Sequence, residues 1–421
     1  MSHSIDGIDP SSVKNPTSLQ ELSSFLEHAN SSGLSVVPWG GGTRIGVGNI
    51  PAGYDVALDM TGHTAHLEHV AGDMTVVVDS GVRIADLSVV LKKQEQRLPF
   101  EVRDAERATV GGSVASNAPG RRQSSTGGIR DWVIGMQIVL ADGTVTKSGG
   151  RVVKNVQGYD MHRLHTGAFG TLGVISQVAF KLVPLPVDHQ TIIAWFEDEE
   201  SAQEVGVKLV NGLISPEVIS LVSGSLGSAV ITAAGESPNS HESWTLVVRL
   251  GGGMRSVKRQ VSEVTGAVGA GGAAGYAILD KTQDAICWTT LAEFEENTDL
   301  SVRVTTRTKN ALDISHQILN NSKTHTGSIG CLSAICDLGF GAMTVLVKEI
   351  NDEKALSLVS HISSLVTQKG GSFVVEKCSL AVKKQIDVFS DVGSSLAVML
   401  RVKAQFDPTN TLNPGRFVGK I

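Results

Sequence analysis

The chain has 421 residues, of which 41% are hydrophobic and 19% charged, a balance typical of a globular protein with a buried core. At roughly 100–200 residues per domain, this length predicts two or three domains. The net charge is −6, and no Lys/Arg-rich stripe occurs along the sequence. A nucleic-acid surface is therefore excluded, because such a surface has to neutralise phosphates.

The sequence contains no run of about 18 apolar residues, so no membrane span is predicted. The first residues lack the basic start and the apolar stretch of a signal peptide. We therefore expect a cytoplasmic protein, with peripheral attachment to the inner membrane through partners left open.

The four cysteines are Cys287, Cys331, Cys336 and Cys378. None of them forms a C-x-x-C pair, and the gap between Cys331 and Cys336 fits no common zinc or iron–sulfur ligand set. We therefore expect reduced thiols, no metal site and no cluster held by this chain.

The first 187 residues carry the clearest periodic patterns. Helices are predicted over residues 17–33 and 84–96, where apolar residues recur at helical spacing. Residues 106–131 are rich in Gly, Ser, Arg and Asn, which predicts a long functional loop without regular structure. Strands or strand-like apolar stretches are predicted at 34–38, 56–60, 67–70, 74–79, 133–140, 144–147 and 172–183, the last ending before Pro184.

Residues 188–400 alternate strand-like and helix-like segments, which predicts a separate α+β domain. The Gly/Ala-rich residues 265–275 are predicted to form a mobile loop or a cap over a turn of small residues. The closing sequence FDPTNTLNPGRF contains Asp407-Pro408 and Asn413-Pro414-Gly415, turn-forming sequences that give the chain a rigid path.

The first candidate binding segment follows a predicted strand directly. Successive glycines let main-chain N–H groups point into one concavity, which suits a pyrophosphate. The segment is neither a P-loop nor a Rossmann fingerprint, and a glycine-rich hairpin without a ligand is an equally good interpretation. Its candidate residues are Pro38, Gly40, Gly41, Gly42, Thr43 and Arg44.

The second segment lies more than sixty residues downstream and combines small residues with hydroxyl and amide groups. The paired arginines in it could neutralise an anionic ligand, or they could be a solvated surface pair. Asn117 is equally well interpreted as a turn former. The candidate residues are Thr109, Gly111, Gly112, Ser116, Asn117, Gly120, Arg121 and Arg122.

The third segment combines Gly158-Tyr159-Asp160 with a glycine-spaced turn that enters a strand at Gly173, Val174 and Ile175. Such a turn can offer main-chain N–H and C=O groups to a nucleobase edge. It can equally be a tight loop before a buried strand.

In their order along the chain, these motifs resemble the FAD-binding domain of the vanillyl-alcohol oxidase / p-cresol methylhydroxylase (PCMH) type. The resemblance covers roughly residues 17–187, and the tail sequence extends it. It implies an α+β fold with a two-subdomain PCMH-type FAD-binding domain at 17–187 and an α+β cap domain for substrate or partner at 188–400. The tail, residues 401–421, is then expected to return to the FAD-binding domain.

A closer resemblance is to the FAD-binding subunit of glycolate oxidase. It rests on Gly120-Arg121-Arg122, on Gly128–Asp131 and on the stretch from Gly149 to Asp160. The chain departs from that pattern in having Pro119 before the glycine instead of after it. This resemblance implies oxidation of a small hydroxy acid, a sister flavoprotein subunit and an iron–sulfur subunit as partners.

The resemblance also implies how the cofactor is held. Residues 40–44 should wrap the FAD pyrophosphate, residues 109–117 should run towards the isoalloxazine ring, and residues 173–175 should meet the adenine or ribose side. Covalent members of the family carry a histidine near these loops. The first segment here has Thr43 and Arg44 instead, so non-covalent FAD is expected.

No catalytic residue is assigned from the sequence. Related hydroxy-acid dehydrogenases carry a His-x-His pair and a Glu-His pair, but this chain has a single His325 in Thr324–Gly327, and Glu376 is followed by Lys377. His162 and His165 have H-x-x-H spacing without a nearby carboxylate, so a structural role is favoured. Arg103, Arg121 and Arg122 are candidate cations for a substrate carboxylate.

Three functions therefore remain open. The first is an accessory FAD-binding subunit of a glycolate oxidase-like complex, in which a sister subunit oxidises the acid. The second is a stand-alone FAD-linked oxidase or dehydrogenase of another hydroxy acid or alcohol. The third is a non-redox scaffold that has lost the flavin, which the intact glycine clusters argue against.

Overall fold

The computed structural model describes residues 3–151, 158–238, 243–325 and 331–421, without the side chains of residues 320–325. Contacts divide the chain into two compact units. Unit 1 comprises residues 1–120, 127–185 and 387–421, and unit 2 comprises residues 121–126 and 186–386. The chain thus passes between the units four times. The boundaries of 17–187, 188–400 and 401–421 expected from the sequence stay a prediction.

Unit 1 contains two larger sheets, a parallel one with the order β1-β3-β2 and an antiparallel one with the order β4-β5-β9-β7-β8. The short strands β6 and β10 pair with each other. The strands are β1 Ser12–Lys14, β2 Val36–Trp39, β3 Val56–Asp59, β4 Leu67–Val70, β5 Thr75–Asp79, β6 Gln96–Arg97, β7 Val133–Val139, β8 Val145–Gly149, β9 Val174–Lys181 and β10 Val183–Pro184.

Unit 2 is built on one eight-stranded antiparallel sheet with the order β14-β11-β13-β12-β16-β17-β15-β18. Its strands are β11 Asp188–Phe196, β12 Pro216–Gly224, β13 Trp244–Gly252, β14 Gly275–Ile278, β15 Leu300–Thr305, β16 Leu332–Asp337, β17 Ala342–Val347 and β18 Ser372–Lys377.

Helices occur in both units. In chain order they are α1 Leu19–Ser31, α2 Ile84–Lys92, α3 Val110–Ala115, α4 Gln123–Thr126, α5 Met161–His165, α6 Glu199–Val210, α7 Ser225–Ala233, α8 Met254–Ala270, α9 Lys281–Glu296, α10 Thr308–His325, α11 Asp352–Gln368, α12 Leu380–Lys383 and α13 Ser395–Phe406. Among the described residues, none of these helices has the length and apolar character needed to cross a membrane.

Helix α1 shows how the sequence produces these elements. The hydroxyl of Ser18 accepts a hydrogen bond from the Glu21 N–H at 3.2 Å and so caps the first turn. Leu22 and Leu26, one turn apart, are fully buried in a cluster with residues of both sheets, such as Leu58 and Val139. Gly33, at a φ of +67°, ends the segment in the left-handed conformation. The helix predicted over residues 17–33 is confirmed.

The core of unit 1 lies between the antiparallel sheet and helices α2 and α3. It includes Val78 of β5, Phe180 of β9, Leu87 and Leu91 of α2, and Val114 of α3, each fully buried. Burial of one such side chain stabilises a fold by roughly 1.5–3 kcal/mol. This packing fixes the position of α3 relative to the sheet.

Two predicted segments are wrong. Residues 106–131 were expected to be irregular, but Val110–Ala115 form α3. This helix was missed because its Gly-Gly-Ser sequence has a low helix propensity. The Gly/Ala-rich residues 265–275 were expected to be a loop or cap, but 265–270 complete α8, because Val264 and Val268 are buried on one face. The helix predicted over 84–96 ends earlier, at Lys92.

The C-terminal residues pack on the first strands of unit 1. The Val36 N–H donates to the Thr411 carbonyl, and the Asn413 N–H donates to the Val36 carbonyl, both at 2.8 Å. The buried guanidinium of Arg416 donates to the carbonyls of Ile45 and Val47, both at 2.6 Å. The tail therefore fixes the loop that follows β2.

Candidate functional site

The three glycine-rich segments meet at one cleft in unit 1. The cleft has a volume of about 60 Å³. Eight of the residues proposed from the sequence line it, namely Pro38, Gly40, Thr109, Gly111, Gly112, Gly173, Val174 and Ile175. The lining is completed by Trp39, Met60, Ser80, Ala115, Phe169 and Gly170.

The loop after β2 carries unused hydrogen-bond donors. Among the described residues, the main-chain N–H groups of Gly40, Gly41, Gly42 and Thr43 donate no hydrogen bond. These four residues are half-buried. Main-chain N–H groups without an acceptor in the protein are open to water or to an external acceptor such as a phosphate oxygen.

Close packing between the first and second segments explains the glycines of this loop. A Cβ at Gly40 would overlap the hydroxyl of Thr109, and one at Gly41 would overlap the carbonyl oxygen of Arg107. Gly42 has a φ of +72°, which a residue with a side chain rarely adopts. Glycine is thus needed at Gly42 for the backbone conformation of the loop, and at Gly40 and Gly41 for its close packing on the second segment.

Helix α3 of the second segment lines the cleft but leaves few hydrogen-bond donors open to a ligand. Thr109 caps it by accepting from the Gly112 N–H at 3.3 Å, and the Gly111 N–H donates to the Ser80 carbonyl at 2.8 Å. The hydroxyls of Ser113 and Ser116 donate back to helix carbonyls. The amide and hydroxyl donors expected here from the sequence are therefore largely used within the protein.

The third segment packs on the other two. The Phe169 N–H donates to the Ala115 carbonyl at 2.9 Å, and the Gly167 N–H donates to the Val114 carbonyl at 3.0 Å. Gly170 lies against the ring of Pro38 in the first loop. Strand β9 then carries Val174 and Ile175 along the cleft.

The other proposed cofactor residues lie outside the cleft lining. Gly41, Gly42, Thr43 and Arg44 belong to the same loop as Gly40, while Ser116, Asn117 and Gly120 follow α3. The structure places Arg121 and Arg122 in unit 2.

In unit 2, Arg121 and Arg122 pair with acidic side chains. The Arg121 guanidinium lies 3.1 Å from Glu295 Oε1, and that of Arg122 lies 3.7 Å from Glu217 Oε2. Arg121 also lies 6.0 Å from the centre of the Trp288 ring. Their role as cofactor ligands stays a prediction.

The two histidines of helix α5 are buried and uncharged at neutral pH. Burial lowers the pKa of His165 to about 4, and burial also lowers the pKa of His162. His162 Nδ1 lies 3.2 Å from the Ser148 hydroxyl. Within the described part of the chain, no group of three or more His, Cys, Asp or Glu side chains is arranged to hold a metal.

Residues 152–157, which belong to the closer resemblance, lie outside the described residues, as do Thr326, Gly327 and the side chain of His325.

Sequence reasoning missed Ser80, Met60 and Phe169 as cleft residues. Ser80 is 1% exposed, and its hydroxyl has no hydrogen-bond partner among the described residues. Ser80 follows β5 directly. Its position at the end of a buried strand is the one sequence signal that could have identified it as a cleft residue. Met60 ends the strand predicted at 56–60, and Phe169 lies beside Gly170 in the third segment, but an apolar side chain at either position gives no signal of a ligand contact.

Comparison with known families identifies two matching regions. Residues 10–149 match the model of the FAD binding domain, and residues 388–417 match that of the C-terminal domain of FAD linked oxidases. The first match contains two of the three glycine segments. The second contains the turn that reaches β2.

Whole proteins with related sequences and folds are also known. The glycolate oxidase subunit GlcD of Bacillus subtilis (strain 168) is 24% identical over 424 residues, covering 98% of this chain and 89% of the relative. The D-lactate dehydrogenase of Archaeoglobus fulgidus is 31% identical over 202 residues, covering 48% of this chain and 45% of the relative. The structure of p-cresol methylhydroxylase with substrate bound has a TM-score of 0.72 at 14% identity, covering 96% of this chain and 88% of that one, which shows a shared fold.

Proposed function

Since this chain belongs to the FAD-linked oxidoreductases and has the PCMH-type fold, we propose that it is the FAD-binding subunit of a glycolate oxidase-like dehydrogenase complex. In this proposal FAD occupies the glycine-lined cleft of unit 1, and the complex oxidises glycolate or a similar small hydroxy acid. Bound FAD would accept a hydride from the carbon that carries the substrate hydroxyl.

The proposed placement of FAD rests on one observation. The main-chain N–H groups of Gly40, Gly41, Gly42 and Thr43 have no acceptor among the described residues. Main-chain donors that converge in a loop form a site for phosphate oxygens without needing a charged side chain. The glycine backbone also permits an approach that a Cβ would block. These residues fit the pyrophosphate of FAD.

The size of the cleft limits which part of FAD it can enclose. At about 60 Å³ it is far smaller than the roughly 300–1,000 Å³ pockets that enclose whole small-molecule ligands. The cleft therefore holds one portion of the dinucleotide, next to residues 40–43, the donor loop whose N–H groups are open. Ser80, with its buried and unpartnered hydroxyl, can hydrogen-bond to a polar atom of that portion.

The residues around the cleft favour non-covalent FAD. Within the part of the chain that the structure describes, the cleft lining contains no His, Cys or Tyr side chain that could attach to the portion of FAD held there. Denaturing the purified protein in acid and centrifuging it tests this point. We expect the yellow colour in the supernatant, and colour retained in the pellet contradicts non-covalent binding.

The subunit role rests on the relative from Bacillus subtilis, which is named as a subunit and aligns over nearly the whole chain. The thiols of this chain support a separate carrier of electrons. Cys287 and Cys336 are buried, and within the described part of the chain no group of three or more His, Cys, Asp or Glu side chains is arranged to hold a metal. In this proposal, a sister flavoprotein subunit and an iron–sulfur subunit complete the complex.

A stand-alone FAD-linked dehydrogenase of another hydroxy acid is the second candidate. The D-lactate dehydrogenase of Archaeoglobus fulgidus favours it, because that relative is not named as a subunit. The chain must then supply its own base for the substrate hydroxyl.

One experiment separates the two candidates. The purified chain with bound FAD is mixed anaerobically with glycolate or D-lactate, alone and after co-expression with captured partner subunits. Flavin bleaching only in the presence of partners supports the subunit role, and bleaching by the isolated chain supports the stand-alone enzyme. A purified chain without flavin absorbance contradicts both.

A further inference from the structure

The backbone of Phe169 has an unusual conformation for an aromatic residue. Its φ is +54°, in the left-handed region that bulky side chains rarely adopt. It stands between Gly167 and Gly170, whose φ values of +81° and +69° suit glycine. Non-glycine residues in this region persist where the surrounding structure holds them, and they cluster at ligand-binding sites.

Hydrogen bonds on both sides hold Phe169 in this conformation. Its N–H donates to the Ala115 carbonyl at 2.9 Å, and its carbonyl accepts from Asn413 Nδ2 at 2.6 Å. Asn413 is itself fixed to β2 through its main-chain N–H and the Val36 carbonyl. The backbone of Phe169 is thus held between α3 and the C-terminal segment.

Two other phenylalanines hold the ring. The Phe417 ring stacks on it at 5.4 Å between centroids with an interplanar angle of 29°. The Phe389 ring meets it at 5.6 Å and 89°, an edge-to-face geometry. The Phe169 side chain is nevertheless only half-buried, and it lines the cleft together with Gly40 and Gly112.

We propose that Phe169 is an aromatic wall of the cofactor cleft, with its ring packed against a planar heteroaromatic ring of bound FAD. This inference rests on the proposed placement of FAD in the cleft. Both the adenine and the isoalloxazine are planar rings with faces that stack on an aromatic side chain. Because the neighbouring chain segments fix the Phe169 ring in advance, little conformational freedom is lost when the cofactor binds.

The test compares the affinities of matched variants for FAD. Apoprotein is prepared from the wild-type chain, from Phe169→Leu and from Phe389→Leu, and FAD is titrated into each. Both variants lose one ring of the same cluster, but Phe389 is not among the described residues that line the cleft. We expect Phe169→Leu to weaken FAD binding by about tenfold, the effect of losing one base–aromatic stack, and Phe389→Leu by less than about threefold.

Further ligands identify which ring is contacted. ADP carries the adenine without the flavin, and FMN carries the flavin without the adenine. A loss of affinity in Phe169→Leu for FAD and ADP assigns the contact to the adenine, and a loss for FAD and FMN assigns it to the isoalloxazine. If neither fragment binds measurably, the FAD titration alone decides whether Phe169 contacts the cofactor.

Two more variants keep the test decisive if Phe169→Leu does not fold. Phe169→Met preserves most of the apolar volume without an aromatic face and should also weaken FAD binding about tenfold. Phe169→Tyr keeps the ring and should bind FAD as the wild type does. Equal FAD affinity in the wild type and in the folded Leu or Met variant overturns the inference, while a wild-type chain that binds no FAD overturns the proposed function instead.

Discussion

Gly41 lies so close to Arg107 that a Cβ on the glycine would overlap the arginine's carbonyl oxygen. The Gly41→Ala substitution must therefore displace the donor loop from the second segment. We expect FAD binding to weaken by at least about tenfold, and the free energy of unfolding to fall by about 1–3 kcal/mol. FAD titration and urea denaturation measure the two effects.

Gly46 provides the matched control for Gly41. It lies in the same loop, and a Cβ there would meet nothing within 4 Å. Gly46→Ala should leave the stability within about 0.5 kcal/mol of the wild type and the FAD affinity unchanged. Equal effects of the two substitutions would mean that close packing on Arg107 is not what requires Gly41.

Lys403 and Asp407 form a buried ion pair at 2.6 Å, and the ammonium also donates to the carbonyls of Thr171 and Leu412. Lys403→Met leaves the Asp407 carboxylate buried without its cation. We expect the free energy of unfolding to fall by about 3–5 kcal/mol, as measured by urea denaturation. Arg83→Met removes the exposed pair with Asp86 and should cost at most about 1 kcal/mol.

His165 predicts a pH dependence of stability. Burial lowers its pKa in the folded protein to about 4, whereas an unfolded chain has a histidine pKa of about 6.5. The unfolded state therefore binds the proton first, so stability is highest above pH 6.5 and is lost as the pH falls towards 4. Between pH 7 and pH 5 this residue alone should lower the free energy of unfolding by about 2 kcal/mol.

The measurement compares urea denaturation at pH 7 and pH 5 for the wild type and His165→Leu. The variant should show a loss on acidification that is smaller by about 2 kcal/mol. His28→Gln, at an exposed position of α1, serves as the control and should keep the wild-type pH dependence. An unchanged dependence in His165→Leu contradicts the assignment.

Arg121 and Glu295 should be strongly coupled, because their 3.1 Å ion pair leaves the carboxylate side chain only 4% exposed. We expect Arg121→Gln to destabilise the protein by about 3 kcal/mol. The double variant with Glu295→Gln should lose less than the sum of the single variants. Additive losses would show that the pair contributes little.

FAD titration of the same variants tests the second role of Arg121. A direct cofactor contact should raise the Kd in Arg121→Gln while Glu295→Gln leaves it unchanged. A role confined to the ion pair should give similar affinities in both.

The sequence predicted the regular elements of unit 1 well, because their apolar spacing reflects one buried face. The helix with Leu22 and Leu26 and the strands around Val76 and Val178 follow directly from this rule. Helix α3 was not predicted, because its glycines oppose helix formation. It is held by the Thr109 cap and by the burial of Val110 and Val114.

The candidate site was predicted only in part. Motif order located Gly40, Gly111 and Gly173, since glycines at a close approach leave a visible signature. Phe169 lies in the third segment but was not assigned to the site, because its left-handed backbone depends on hydrogen bonds to Ala115 and to Asn413, a residue 244 positions away along the chain. Nor does a single sequence reveal that Arg121 and Arg122 pair with acids in unit 2.

The hydrogen bonds between Val36 and the C-terminal turn have a consequence for biosynthesis. Unit 1 is assembled from three stretches of chain, and the last one begins at Asp387. The loop with the open N–H groups is thus synthesised early. It cannot accept the hydrogen bonds from Arg416 until that residue has been synthesised. Most of unit 2, in contrast, is one continuous stretch, residues 186–386, that is complete before then. Until Arg416 has been synthesised, the loop after β2 lacks these contacts, although all of its glycines are already in place.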